Sequence, residues 1–298
     1  MLEKNISRRW FSAVSYLLVL LLLVSMQFST GCSDSTAYDP AVQYAHAVQD
    51  ASLSGPERIS KDLTAITPSN KNLIWENGVP GSRVLVAAWV SQRAGECYLN
   101  PDPAQGCLPC RVGEECPNMT FDTWVTVVPE IKDFFRNVSP DPLRIAQLLG
   151  LPPTSSYTSK QRYMVEFWVS PKDLFRPCPD PEISDHECQL DFPEDPFWVL
   201  DVSNKVYADQ NCVQQACGVT GEGLCEFKDY KGWFTNRKEY IYSGTNPYPW
   251  TGLGYTYDWG NPAGHVGLSE FVIHGKTEDC KGVSVGIKSV TPTAAYFD

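Results

Sequence analysis

Histidine and methionine are scarce in this sequence, with four of each among 298 residues. His46, His186, His265 and His274 are therefore the whole supply of imidazole for acid–base work. Neither a GxSxG elbow nor an HExxH helix occurs, which removes the signatures of serine hydrolases on α/β sheets and of zinc-dependent proteases. Positive charge is also short. Lysine and arginine total 24 against 35 aspartates and glutamates, a formal charge of −11. A surface of that sign repels phosphate backbones, so no nucleic acid partner is expected. The chain has no internal repeat and no low-complexity tract.

What is present begins with a long hydrophobic run. Met1 to Trp10 carries a positive lead, and Phe11 to Phe28 is apolar enough to enter a bilayer, the build of an export signal. The run ends in Ser29-Thr30-Gly31-Cys32 without a nearby Ala-x-Ala cleavage site. This segment resembles the lipobox of bacterial lipoproteins, although that family favours Leu where Ser29 stands. The resemblance implies a lipid on the Cys32 thiol and removal of residues 1–31. It also implies an outer-membrane destination, because Ser33 replaces the Asp that retains such proteins at the inner membrane. An uncleaved transmembrane anchor is the alternative. Ser7-Arg8-Arg9-Trp10-Phe11 resembles a twin-arginine export signal, whereas the Leu-rich core suits export of an unfolded chain. Loss of Glu3, Lys4, Arg8 and Arg9 with the leader makes the remaining charge about −13.

Cysteine is abundant, with 11 in all. Apart from Cys32 these are Cys97, Cys107, Cys110, Cys116, Cys178, Cys188, Cys212, Cys217, Cys225 and Cys280, an even set that in an exported chain predicts five disulfides. Clustering favours short local bridges, and Cys178 with Cys188 is the best single pairing. Cys107-Leu-Pro-Cys110 has the spacing of dithiol oxidoreductases but lies in a Gly- and Pro-rich stretch, without the helix that would lower a thiol pKa. Cys97, Cys107, Cys110 and Cys116 together offer an alternative as zinc or iron–sulfur ligands. Arg111 follows the CxxC where haem attachment needs His. Asp180, Glu182, Asp185, His186, Glu187 and Asp191 form an acidic loop that is either solvated or a calcium site of irregular spacing. No cofactor or metal is assigned.

Apolar spacing predicts helical segments in AVQYAHAVQDASL and ERISKDLTAI, then strands at Asn72–Trp75, Arg83–Val90 and Thr123–Val128. Helices are expected at Glu130–Asn137 behind Pro129 and at Pro142–Leu149, the second stopped by Gly150. Further strands are expected at Arg162–Val169, Phe197–Val202, Glu239–Tyr242, Leu268–His274 and Val283–Val290. Strands with few helices between them give an α+β class: a predominantly β mixed domain with a few short helices, stapled by disulfides. The expected organisation is a signal peptide at 1–31, an anchor, tether and helical segment at 32–70, and one α+β domain at 71–298.

The most distinctive stretch runs from Tyr248 to His265. Trp250, Tyr255, Tyr257 and Trp259 supply flat aromatic faces, and Asp258 and His265 supply polar groups, a composition that suits stacking on sugars or apolar ligands. Aromatic core strands have the same composition. Ile273-His274-Gly275 resembles a fragment of L,D-transpeptidases, but the downstream Ser-His-Gly-Cys of those enzymes is missing here. The reading is a lipid-anchored envelope protein, tied to the membrane, that binds an envelope protein or glycan. One alternative is an envelope hydrolase using His265 or His274 with Asp258 or Glu270. The other is a redox subunit with a metal on the cysteines of 97–116. Cys32→Ala is expected to release the protein from membranes and to abolish lipid labelling. A variant that stays in the membrane pellet with its N-terminus intact would identify a transmembrane anchor instead.

Overall fold

Alternate residues of Val84–Ser91 (β1) are apolar on both sides, and this strand is correspondingly placed inside a sheet. The structure, a computed structural model, describes residues 38–107, 110–119, 122–136, 138, 140–158, 161–194, 230–275 and 283–298. The export segment, Cys32, Cys212, Cys217, Cys225, Cys280 and the strand expected at Phe197–Val202 lie outside them. The other strands are Glu115–Met119 (β2), Thr123–Val127 (β3), Arg162–Val169 (β4), Leu174–Phe175 (β5), Tyr255–Tyr257 (β6), Val266–Ser269 (β7), Phe271–Ile273 (β8) and Val283–Pro292 (β9). Helices are Pro40–Ala51 (α1), Gln92–Leu99 (α2), Val128–Phe134 (α3), Pro142–Leu148 (α4), Ser155–Thr158 (α5), Tyr230–Ser243 (α6) and Thr293–Tyr296 (α7). The class is α+β and mostly β. Residues Pro40–Asp298 cluster into one unit.

Seven strands form an antiparallel sheet in the order β2-β9-β4-β1-β3-β8-β5, and β6 pairs with β7 separately. Val84, Val86 and Ala88 of β1 face one core with Val165, Phe167 and Val169 of β4. Ile66, Leu73, Trp75, Cys110 and Cys116 cover that face. The intervening Leu85, Ala87 and Trp89 meet Ile131 of α3 and Ile145 and Leu148 of α4 on the opposite face. A strand period of two thus feeds two cores, which explains why β1 and β4 carry so few polar residues. Each fully buried large side chain, such as Phe167 or Leu85, contributes about 1.5 to 3 kcal/mol by leaving water.

Three disulfides staple the described residues: Cys97–Cys107, Cys110–Cys116 and Cys178–Cys188. The last is the pairing expected from sequence. The loops they close span separations of 10, 6 and 10 residues, so each bridge contributes about 2 to 3 kcal/mol in the chain-entropy account. Cys107 and Cys110 pair outward rather than with each other. All four sulfurs of the 97–116 cluster are consumed in disulfides, which leaves no thiolate there to ligate a metal.

Several local expectations are corrected. Glu239–Tyr242 is helical, because Tyr230, Trp233, Phe234 and Ile241 are buried at helical spacing along α6. Four residues were too short a window to show that period. ERISKDLTAI forms only a single 3-10 turn at Pro56–Arg58. Its amides bond sideways instead: Leu63 N–H donates to His186 O (2.9 Å) and Ile66 N–H to Ile183 O (2.7 Å). Asn72–Trp75 reduces to one bridge, Trp75 with Val84. Leu268–His274 breaks at Glu270 into two strands that belong to different sheets.

Among the described residues Arg176 is the largest fully buried side chain, at 0 % exposure. Nη1 donates to Asp185 Oδ1 (2.7 Å) and Glu187 O (2.9 Å), and Nη2 to Thr64 O (3.0 Å) and Asp185 O (2.9 Å). Gly254 lies against it with φ +72, and a Cβ there would sit 2.6 Å from both Arg176 Cδ and Cys188 Sγ. Gly254→Ala is expected to lower stability by about 3 kcal/mol in urea unfolding, from left-handed backbone strain plus overpacking. Gly264→Ala, where a Cβ meets nothing within 4 Å, should stay within about 0.5 kcal/mol of the parent.

Candidate functional site

The aromatic stretch from Tyr248 to His265 is divided by the fold. Trp250 is 2 % exposed and Trp259 7 % exposed, so neither offers an open ring face to solvent. Trp259 Nε1 donates to Leu151 O (3.0 Å), and its ring meets Tyr44 of α1 edge-on at 5.7 Å. Asp258 is buried and held by both Arg144 nitrogens at 2.8 and 2.6 Å, while its own N–H donates to His265 O. Its carboxylate therefore serves Arg144 and the Gly260 N–H, not the His265 ring. His274 is buried at the end of β8, with Nδ1 donating to Gly275 O (3.0 Å).

Tyr255, Tyr257 and His265 are brought together, and the paired strands β6 and β7 are the reason. Two residues that no local sequence signal connects to them, Asp50 at the end of α1 and Arg58 in the following turn, complete the group. Arg58 grips Asp50 with two hydrogen bonds, 2.7 and 2.6 Å. Tyr257 OH donates to Asp50 Oδ2 at 2.5 Å. Arg58 and Tyr257 together hold the Asp50 carboxyl down at about 2. The Asp50 side chain still keeps 42 % of its surface in solvent.

The histidine tautomer follows from proton counting. Tyr255 OH spends its single proton on Arg58 O (2.9 Å), so at 3.1 Å from His265 Nε2 it can only accept. Nε2 of the neutral ring therefore carries the proton, and Nδ1 is left as an acceptor. Burial first, then the Arg58 charge, pushes the His265 pKa below its ordinary value and favours this neutral form. The ring lies parallel to Tyr257 at 5.2 Å and 18°, which fixes its plane. The result is a half-buried surface of hydrogen-bond acceptors, His265 Nδ1 and the Asp50 carboxylate, built from α1, a turn and a hairpin.

Other polar candidates are used inside the fold. In the acidic loop, Asp185 binds Arg176, Asp180 Oδ1 accepts from Gln189 N–H (2.7 Å), Glu187 pairs with Lys61, and His186 Nδ1 donates to Leu63 O. Cys178, Asp180 and Cys188 place one potential ligand atom each within 4.8 Å, but both sulfurs belong to one disulfide. No helix among the described residues is long and apolar enough to cross a membrane.

Glu270 is the one hydrolase candidate with an unusual environment. Burial raises its carboxyl from an ordinary 4.5 to about 8, opposed only by the hydrogen bond from Trp250 Nε1 (3.3 Å). The native state thus retains a proton that the unfolded chain releases near 4.5. Above that value the unfolded state binds fewer protons, so stability falls as pH rises toward about 8. Glu270→Gln is expected to remove this decline, so that denaturant midpoints measured between pH 5 and pH 9 converge at low pH and favour the variant at high pH. Equal slopes for the two proteins would contradict the assignment. No family model matches the chain, and comparison with curated proteins and with solved structures finds no match.

Proposed function

We propose that this chain is a lipid-anchored envelope protein, acylated at Cys32 and facing the periplasm or exterior from the outer membrane, whose folded domain binds a hydroxyl- or amine-bearing partner. Envelope glycans and the polar surfaces of envelope proteins both have that chemistry. The observation that supports a binding role is the partly exposed pair of Asp50 and His265, held from behind by Arg58 and by the buried rings of Tyr255 and Tyr257. Its acceptors are fixed before any ligand arrives: two tyrosines and one arginine hold the imidazole and the carboxylate in single orientations. Preorganisation of this kind reduces the ordering cost of association.

Hydrolysis receives no comparable support from this site. His265 is oriented by a tyrosine rather than by a carboxylate, and Asp258 is committed to Arg144. The redox reading loses its ligands to the disulfides.

The test uses the full-length protein and purified envelope glycan, with His265→Phe as the probing substitution. Phenylalanine keeps a ring against Tyr257 and removes the Nδ1 acceptor. Binding is expected to weaken about tenfold, the equivalent of one lost hydrogen bond, with little change in melting temperature. Undiminished binding by His265→Phe, or no binding by the parent to glycan or to any envelope protein fraction, would overturn this reading.

A further inference from the structure

The first helix of the domain is unusual in the side it turns to solvent. Ala47 and Ala51 of α1 are buried against Tyr257 and Trp259, and Leu143 of α4 packs on the same cluster. Tyr44 closes that side, its hydroxyl donating to Pro247 O (3.1 Å). The opposite side carries Ala41, Val42, Gln43, Ala45, His46 and Gln49, all exposed. Helical winding continues past Ala51, with Ser52 N–H bonded to Val48 O and Leu53 N–H to Asp50 O. Leu53 therefore falls about three turns beyond Val42 on the same line. Val42 is 49 % exposed and Leu53 66 %.

Charge is missing from this side. With histidine neutral, Asp50 is the one formal charge in Pro40–Ala51, and both its oxygens are taken by Arg58. The flanking acids are Asp39 before the helix and Glu57 beyond Leu53. A solvated helix face ordinarily carries charged side chains. α6 follows that rule, with Lys231, Arg237, Lys238 and Glu239 along its length. α1 departs from it in a chain whose formal charge is −11.

Only seven residues, Ser33 to Asp39, separate Cys32 from the first residue of the helix. Whatever their conformation, they reach no farther than about 30 Å. A domain tethered at Cys32 therefore keeps α1 beside the bilayer. Acidic surface is repelled by anionic lipid within a Debye length of about 8 Å, and the uncharged side of α1 escapes that repulsion.

We propose that the outer face of α1, centred on Val42, Ala45 and Leu53, rests on the bilayer that holds the Cys32 lipid, an inference that depends on a membrane tether at Cys32 but not on what His265 binds. So few apolar side chains do not hold a protein to lipid alone. The tether makes the contact intramolecular, at an effective concentration of about millimolar, and weak insertion then suffices. Asp50 lies in the last turn of the same helix, so docking keeps the Asp50–His265 pair within about 10 Å, one helix diameter, of the headgroups. A partner bound there is engaged at the membrane surface.

The test is photolabelling of the full-length protein, purified with its native N-terminus and reconstituted in vesicles of phosphatidylethanolamine and phosphatidylglycerol that contain a phospholipid with a diazirine high on its acyl chain. Mass spectrometry of the digested protein is expected to find carbene adducts concentrated on peptides covering α1 and Leu53, with far fewer on other exposed peptides. Val42→Glu combined with Ala45→Glu sets two like charges on the contact and should cut that labelling about tenfold, with an unchanged melting temperature because both positions are exposed. Adducts spread evenly over the exposed surface, or undiminished adducts on α1 in the double variant, overturn the proposal. Crosslinks from α1 to α1 in place of lipid adducts also overturn it, by assigning this face to a second copy of the chain. Recovery of an untethered protein, with neither lipid on its N-terminal peptide nor an uncleaved leader, overturns the anchor reading and this one together, whereas a tethered protein without α1 adducts overturns this one alone. Should the double variant fail to fold, the adduct map of the parent protein decides it.

Discussion

The buried guanidinium of Arg176 is the interaction on which the arrangement of this domain most depends. It ties the carbonyl of Thr64, the carboxylate and carbonyl of Asp185 and the carbonyl of Glu187 to one side chain, and so joins three stretches that have little regular structure of their own. A buried charge with one partner removed costs about 3 to 5 kcal/mol, because the remaining group stays desolvated. The Cys178–Cys188 bridge closes the loop around the guanidinium, and Tyr230 OH donates to Cys178 O (2.6 Å) and lies 3.1 Å from Arg176 O. Gly254 completes the enclosure from the aromatic segment. The same arginine therefore sets where that segment starts.

From that fixed start the segment distributes its side chains according to what each must satisfy. Trp259 and Asp258 turn inward because Leu151 O and Arg144 are waiting for them. Tyr255 and Tyr257 turn toward Arg58 and Asp50, and His265 follows because it stacks on Tyr257. Glu130 of α3 fastens the far strand of the hairpin: its carboxylate accepts from Ser269 N–H (2.7 Å), Ser269 Oγ (3.0 Å) and Thr64 Oγ1 (3.0 Å). Burial nevertheless pushes the Glu130 carboxyl up, and the Ser269 and Thr64 hydrogen bonds, with the Arg176 charge behind them, pull it partly back. Ser269 and Glu270 thus stand side by side with opposite fates, one saturated with hydrogen bonds and the other holding one side-chain donor, Trp250 Nε1.

The His265 surface and the buried Glu270 carboxyl differ in the kind of rigidity that holds them. At the His265 surface the polar groups are fixed by one another, in a circuit running from Arg58 to Asp50 and Tyr257, across the stacked imidazole to Tyr255 and back to the Arg58 carbonyl. At Glu270 the holding is mainly backbone and ring packing, since the carboxylate has one side-chain donor. A second buried acid, Glu166 of β4, shows the contrasting solution. Lys288 (3.1 Å), Lys132 (3.6 Å), Tyr296 OH (2.9 Å) and Ser289 Oγ (3.0 Å) all face it, and the Lys288 and Tyr296 hydrogen bonds outweigh burial and keep its pKa below the usual value. The fold therefore does compensate a buried acid elsewhere, which makes the sparse environment of Glu270 a local property.

The sequence by itself determined the long sheet strands, the α+β class and one disulfide pairing. Val84–Ser91 is apolar at every core position and Arg162–Val169 at every one but Glu166, Gly150 ends α4 with φ +67, and Cys178 and Cys188 have no nearer competitor. These are local properties of periodicity, backbone freedom and proximity. The helix over Tyr230–Ser243 needed a window longer than four residues, and the break at Glu270 needed knowledge of two sheets. Only the tertiary structure decided the sites. Asp50 lies about two hundred residues from Tyr257, separated by |i−j| of 207, and nothing in the spacing of either announces the other. Which aromatics face water was equally illegible, because Trp250, Tyr257 and Trp259 are chemically suited to a core or to a ligand. Burial is a property of what packs on a side chain, and here the covering residues come from α1, α6 and the turn after α4.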